Sequence, residues 1–143
     1  NAQLGERLGL SVQGSFGEQA LGLWGVATSG AAWPNAEALA AHIAQQLGRA
    51  PVAVPGDGRA IRQVGWCTGG AQGYFEAAIA AGADAFVTGE ISEPQAHLAR
   101  ETGVAFLACG HHATERYGAP AVAAHLAQTL GLTHQFIDID NPA

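Results

Sequence analysis

Beyond residue 60 the apolar residues fall into short dense runs, each followed by a longer segment in which they recur at helical spacing. The runs at 61–67, 83–88 and 104–109 predict strands, and the segments 71–81, 93–101 and 119–130 predict the helices that follow them. A final alternation at 135–139 predicts a last strand. Upstream the pattern is looser. Residues 2–10, with Leu4 and Leu8 before Gly9, read as the end of an amphipathic helix, 14–19 as a loop, and 20–28 as a glycine-interrupted strand. Asn35 is placed to cap a helix that puts Leu39, Ile43 and Leu47 on one face and stops at Gly48. A short strand at 51–54 then enters the turn Pro55-Gly56-Asp57-Gly58. Short strands alternating with helices predict a layered α/β/α domain with a largely parallel or mixed sheet.

Composition narrows this picture. A chain of 143 residues, 48% hydrophobic and 13% charged, has room for one well-buried core and no need of two. Its net charge of -6, with six cationic side chains that are all Arg, disfavours a nucleic-acid partner, because counterion release needs clustered cations. No apolar run is long enough to span a bilayer and no secretion signal opens the chain, so the cytoplasm is the expected compartment. Cys67 and Cys109 are too few for a disulfide framework and are expected to be core thiols. The absence of Met and the opening Asn1-Ala2-Gln3-Leu4 suggest a fragment, with 1–12 as the terminal helix of a preceding half and 13–143 as the α/β domain.

In α/β domains ligands collect where strands run into helix N-termini, and three such loops stand out. In Trp66-Cys67-Thr68-Gly69-Gly70, the segment Thr68, Gly69 and Gly70 offers backbone N–H groups to an anion, or forms a tight turn capped by Thr68. In the second loop Ser92, Pro94 and Gln95 make a capping box, whereas Glu90 precedes the cap and faces a cleft or plain solvent. His97 follows on the helix, as a proton carrier or an ordinary surface histidine. The third, Gly110-His111-His112-Ala113-Thr114-Glu115-Arg116, is the most specific. His111 and Glu115 are four apart, so one helical turn puts an imidazole and a carboxylate on one face, where they bind one cation or are merely solvated. That donor pair suits zinc, iron, manganese or nickel better than calcium.

The segments WCTGGAQ, DAFVTGEISEPQAHLARETG, ACGHHATERYG and FIDIDNPA, in this order, resemble the NIF-three-like family, whose bacterial members are often labelled GTP cyclohydrolase 1 type 2 homologues. The resemblance is close from Val64 to Ala143 and looser before it. It implies two similar α/β halves, of which this chain is the C-terminal one, assembled into a hexameric toroid with a dinuclear metal site facing the interior. It also implies that a His-His pair and an Asp come from the N-terminal half and a His and a Glu from the C-terminal motif. The last two fall on His111 and Glu115, and the others match nothing in this chain.

Taken together, these readings give His111 and Glu115 as ligands to one or both of two divalent ions. Glu90, His97 and His112 are then orienting or proton-transfer candidates, and Thr68, Gly69 and Gly70 an anion loop. The expected reaction is metal-dependent hydrolysis of a nucleotide or related phosphorylated compound. The alternative is a non-enzymatic metal-binding ring scaffold or protein-interaction module. The Ala- and Leu-rich helices at 36–47 and 119–130, with few charges, add the expectation of a homo-oligomer.

Overall fold

The computed structural model describes residues 1–139 and 141–142. Six strands, β1 (Leu10–Phe16), β2 (Gly22–Ala27), β3 (Val52–Val54), β4 (Val64–Trp66), β5 (Ala85–Thr88) and β6 (Ala105–Ala108), form one sheet in the order β1-β2-β4-β5-β6-β3. The central β4-β5-β6 ladder is parallel, while β2, β1 and the outer β3 pair antiparallel. The sheet is therefore mixed. Among the described residues six α-helices, α1 (Ala2–Arg7), α2 (Ala36–Leu47), α3 (Phe75–Ala80), α4 (Glu93–Thr102), α5 (His111–Glu115) and α6 (Gly118–Leu130), and two short 3-10 turns, Glu18–Ala20 and Gln72–Tyr74, complete the fold.

Alternation along the central strands feeds two cores, one on each face of the sheet. Ala85 and Val87 of β5 and Ala105 and Leu107 of β6 meet Leu4 and Leu8 of the first helical segment and Leu39, Ile43 and Leu47 of α2. Phe86 and Phe106, one residue out of phase, meet Phe75 and Ala78 of α3 and Ala99 of α4. Phe75 stands edge-on to Phe106 with ring centroids 4.9 Å apart, a geometry aromatic quadrupoles favour. The capping expected at α2 is present: the Asn35 side chain accepts from Ala38 N at 2.9 Å, and Gly48 closes the helix in the left-handed conformation.

Three sequence expectations change. The opening helix stops at Arg7, and the stretch expected to end that helix and enter a loop is the strand β1, paired with β2 around an irregularity between Val12 and Gly14. An edge strand of half-exposed residues with glycine inside carries little period-two signal, which is why it reads as a loop. Leu4 of α1 and Leu8, which caps its C-terminus, also pack into this domain's own core, and the boundary expected after residue 12 falls inside β1. Lastly, 135–139 joins no ladder; Phe136, Ile137 and Ile139 are exposed, and alternation makes a strand only where a sheet edge accepts it. Asp140 and Ala143, from the terminal FIDIDNPA motif, lie outside the described residues.

Helix α2 is accounted for by the core, whereas α6 buries no residue and leaves Val122, Leu126 and Leu130 exposed. Among the described residues no helix is long and apolar enough to cross a membrane. Both cysteines are free and buried, and burial pushes the Cys109 thiol up to about 12, the range of an inert core thiol.

Candidate metal centre

Because β4, β5 and β6 are parallel, their C-terminal ends bring three loops to one edge of the sheet. Each strand exits through a glycine: Gly69, Gly89 and Gly110. Gly89 N donates to Gly69 O at 2.8 Å, and Gly110 N donates to Gly89 O at 2.9 Å, so the loops are laced in register with the ladder. Two buried threonines reinforce this. Thr88 Oγ1 donates to Gly69 O at 3.0 Å, and Thr114 Oγ1 accepts from Gly69 N at 2.9 Å.

This lacing brings His111 between two carboxylates. Glu90 accepts from His111 Nδ1 at 2.5 Å, and Glu115 Oε2 lies 3.2 Å from His111 Nε2. The hydrogen bond to Glu90 raises the His111 pKa, ahead of an opposing desolvation and with help from the Glu115 charge, while the His111 hydrogen bond lowers that of Glu90. With Nδ1 donating to Glu90, the neutral ring turns its Nε2 lone pair toward Glu115. The close approach of these loops leaves little room beside the glycines. A Cβ on Gly69 would run into the Glu115 carboxylate, one on Gly70 would lie 3.3 Å from Glu90 Oε1, and one on Gly89 would lie 2.7 Å from His111 Cα.

The donors fit part of a metal site. Two ligand atoms about 2.1 Å from one ion stand roughly 3.0–3.4 Å apart at octahedral to tetrahedral angles. His111 Nε2 and Glu115 Oε2, at 3.2 Å, meet that spacing. A carboxylate on the far ring nitrogen is the usual orienting partner of a ligating histidine, and Glu90 occupies that place. Among the described residues, however, no group of three His, Cys, Asp or Glu side chains is arranged to hold an ion. An ion held by His111 and Glu115 would need further donors from elsewhere.

The other expected residues are dispersed. His112, on the opposite side of α5, faces Asp138 at 3.4 Å and lines a cavity with Arg49 and Arg116. His97 is an exposed residue of α4 whose nearest acid is Glu93, at 3.7 Å. The amides of Thr68 and Gly69 are already taken, by Asn1 Oδ1 at 2.7 Å and by Thr114 Oγ1, so this loop serves less as an anion cradle than as space for two carboxylates. Sequence reasoning missed Thr88, Gly89, Thr114 and Asn1. The signal for Gly89 was present as a glycine recurring just after each of the three strands.

A mixed α/β domain that holds a histidine between two acids at the C-terminal ends of its parallel strands is the class the geometry defines. The chain belongs to the Duf34/NIF3 (NGG1p interacting factor 3) family, whose model matches residues 1–142. It is 50% identical over 147 residues to a GTP cyclohydrolase 1 type 2 homolog of Neisseria meningitidis serogroup B, and 47% identical over 144 residues to one of Pseudomonas aeruginosa. In both cases the match covers 100% of this chain and 56% of the relative. A solved structure described as protein ybgI, of unknown function, matches 100% of this chain and 56% of its own at 43% identity and a TM-score of 0.92. The chain thus spans about half the length of the relatives it matches.

Proposed function

We propose that this protein contributes His111 and Glu115 to a dinuclear site for divalent ions such as zinc, iron, manganese or nickel, and that the complete site hydrolyses a nucleotide or related phosphorylated compound. The observation that carries this is the placement of His111, with Nδ1 held by Glu90 and Nε2 beside Glu115. The names of the relatives, GTP cyclohydrolase 1 type 2 homolog, point to the same substrate class. Bound ions in such a site supply Lewis acidity and a water whose pKa falls toward about 7. The chain's own part is to orient: Glu90 fixes the His111 tautomer, Gly69 and Gly89 let the three loops close together, and Thr114 ties the α5 turn to the β4 loop. The remaining ligands belong to the part of the relatives' length that this chain does not span.

A second reading, a metal-binding ring scaffold without turnover, draws support from α6, whose Val122, Leu126 and Leu130 are exposed and suit a subunit contact in a homo-oligomer such as a hexamer. Cytoplasmic residence is proposed from the two free thiols. The test is elemental analysis and phosphatase or nucleotidase turnover of the wild type, His111→Ala and Glu115→Ala. Both variants are expected to keep the fold and lose bound metal. Undiminished metal in both removes the site, and metal retention without turnover of any nucleotide by wild type selects the scaffold.

A further inference from the structure

Arg49 leaves α2 just after the left-handed Gly48, half-buried, and its guanidinium lies against the backbone of Gly110. A Cβ on Gly110 would stand 2.9 Å from Arg49 Nη1 and 3.0 Å from Cζ, and the backbone φ of +96° favours glycine there in its own right. His111 is the next residue. Arg49 therefore borders the same cavity, of about 310 Å³, as Glu90 and His111, with Val52 and Ile91 as apolar walls.

Among the described residues the Arg49 side chain has no hydrogen bond or ion pair. The other partly buried arginine differs, since Arg116 donates to Asp138 and Leu47 O, whereas Arg7, Arg59, Arg62 and Arg100 are exposed. Holding a guanidinium partly out of water without a partner is costly, and the cost is offset when an anion arrives. On its other side Arg49 borders a second cavity, but the carboxylate there, Asp138, is already contacted by His112 and Arg116. In the cavity beside His111 the one carboxylate, Glu90, is engaged by His111 and forms no ion pair with Arg49.

We propose that Arg49 is the anchor for a phosphoryl group of the substrate, gripping it with its planar fork while the rest of the molecule extends toward His111 and Glu115. This rests on the reading of the site as one for phosphorylated compounds and moves the anion contact from the Thr68, Gly69 and Gly70 loop to the opposite side of His111. It also gives Gly110 a role, as the residue that makes room for the guanidinium.

The test is a titration of inorganic phosphate, followed by calorimetry and ³¹P NMR, into metal-loaded and metal-free full chain. Wild type, Arg49→Gln, Arg49→Lys and the exposed Arg62→Gln are compared, with metal content measured for each. Loss of one charge-assisted contact is expected to weaken phosphate binding by about tenfold or more in Arg49→Gln. Arg49→Lys should fall between, Arg62→Gln should match wild type, and metal content should stay constant throughout. Equal affinity in Arg49→Gln and wild type overturns the proposal, as does the absence of saturable phosphate binding by wild type. Failure of the metal reading is scored separately, by metal retained in His111→Ala.

Discussion

Glu90 and His111 are 21 positions apart in sequence and lie beyond the ends of neighbouring parallel strands, yet the Glu90 carboxylate accepts a hydrogen bond from His111 Nδ1 at 2.5 Å. The bond decides which ring nitrogen faces Glu115. It also couples the two groups: the histidine becomes more basic and the acid more acidic.

Replacing Glu90 by Gln is therefore expected to leave the fold unchanged, since the side chain is about half exposed, and to weaken divalent-metal binding by about 10–100-fold, the usual cost of losing an orienting partner. Competitive metal titration measures it. An unchanged affinity would mean that Glu90 is a surface acid.

The pH dependence follows from the same pair. His111 is protonated below its raised pKa, and a protonated ring offers no lone pair, so metal binding should decline on acidification at a higher pH than for a histidine at 6.5. In metal-free protein the signs are separate. The His111 contribution to stability is complete below its unfolded pKa and is lost as pH rises through the raised folded value. The Glu90 contribution is present above its unfolded pKa and is lost as pH falls through the lowered folded value. The pair stabilises between those limits, weakly because both side chains are well solvated. NMR titration of the His111 ring in wild type and Glu90→Gln checks this, with a lower pKa expected in the variant.

Gly89→Ala should destabilise the protein by about 1–3 kcal/mol, because the new Cβ meets only backbone, which cannot step aside. The contacts would be Gly69 O at 2.6 Å and His111 Cα at 2.7 Å. Gly73→Ala is the control, since a Cβ there meets nothing within 4 Å. Denaturant melts of the two variants, together with their metal content, show whether loop spacing and site assembly move together. Equal stability of both would refute the close-packing account of Gly89.

Leu126→Asp tests the exposed face of α6. If that helix sits in a subunit contact, a charge there should lower the association state seen by sedimentation without loss of helicity, because the residue is 46% exposed within the chain. An oligomer that persists at wild-type affinity would place the contact elsewhere.

Local rules made part of this protein readable from its residues. Asn35 and Gly48 bracket α2, Ser92 and Gln95 open α4, the apolar runs of β5 and β6 announce buried central strands, and the four-residue spacing of His111 and Glu115 puts them on one turn. Each of these depends on neighbours within about one helical turn or one strand, the range over which backbone geometry acts directly. What tertiary structure decided lies beyond that range. The parallel register of β5 and β6 carries Glu90 to His111, the bend after Gly48 carries Arg49 to Gly110, and the β2 ladder turns a featureless stretch into β1. It also left the alternating 135–139 segment without a sheet edge and His97 away from His111. Such pairings are set by which strands meet and in what register, and no periodicity within a single segment encodes that choice.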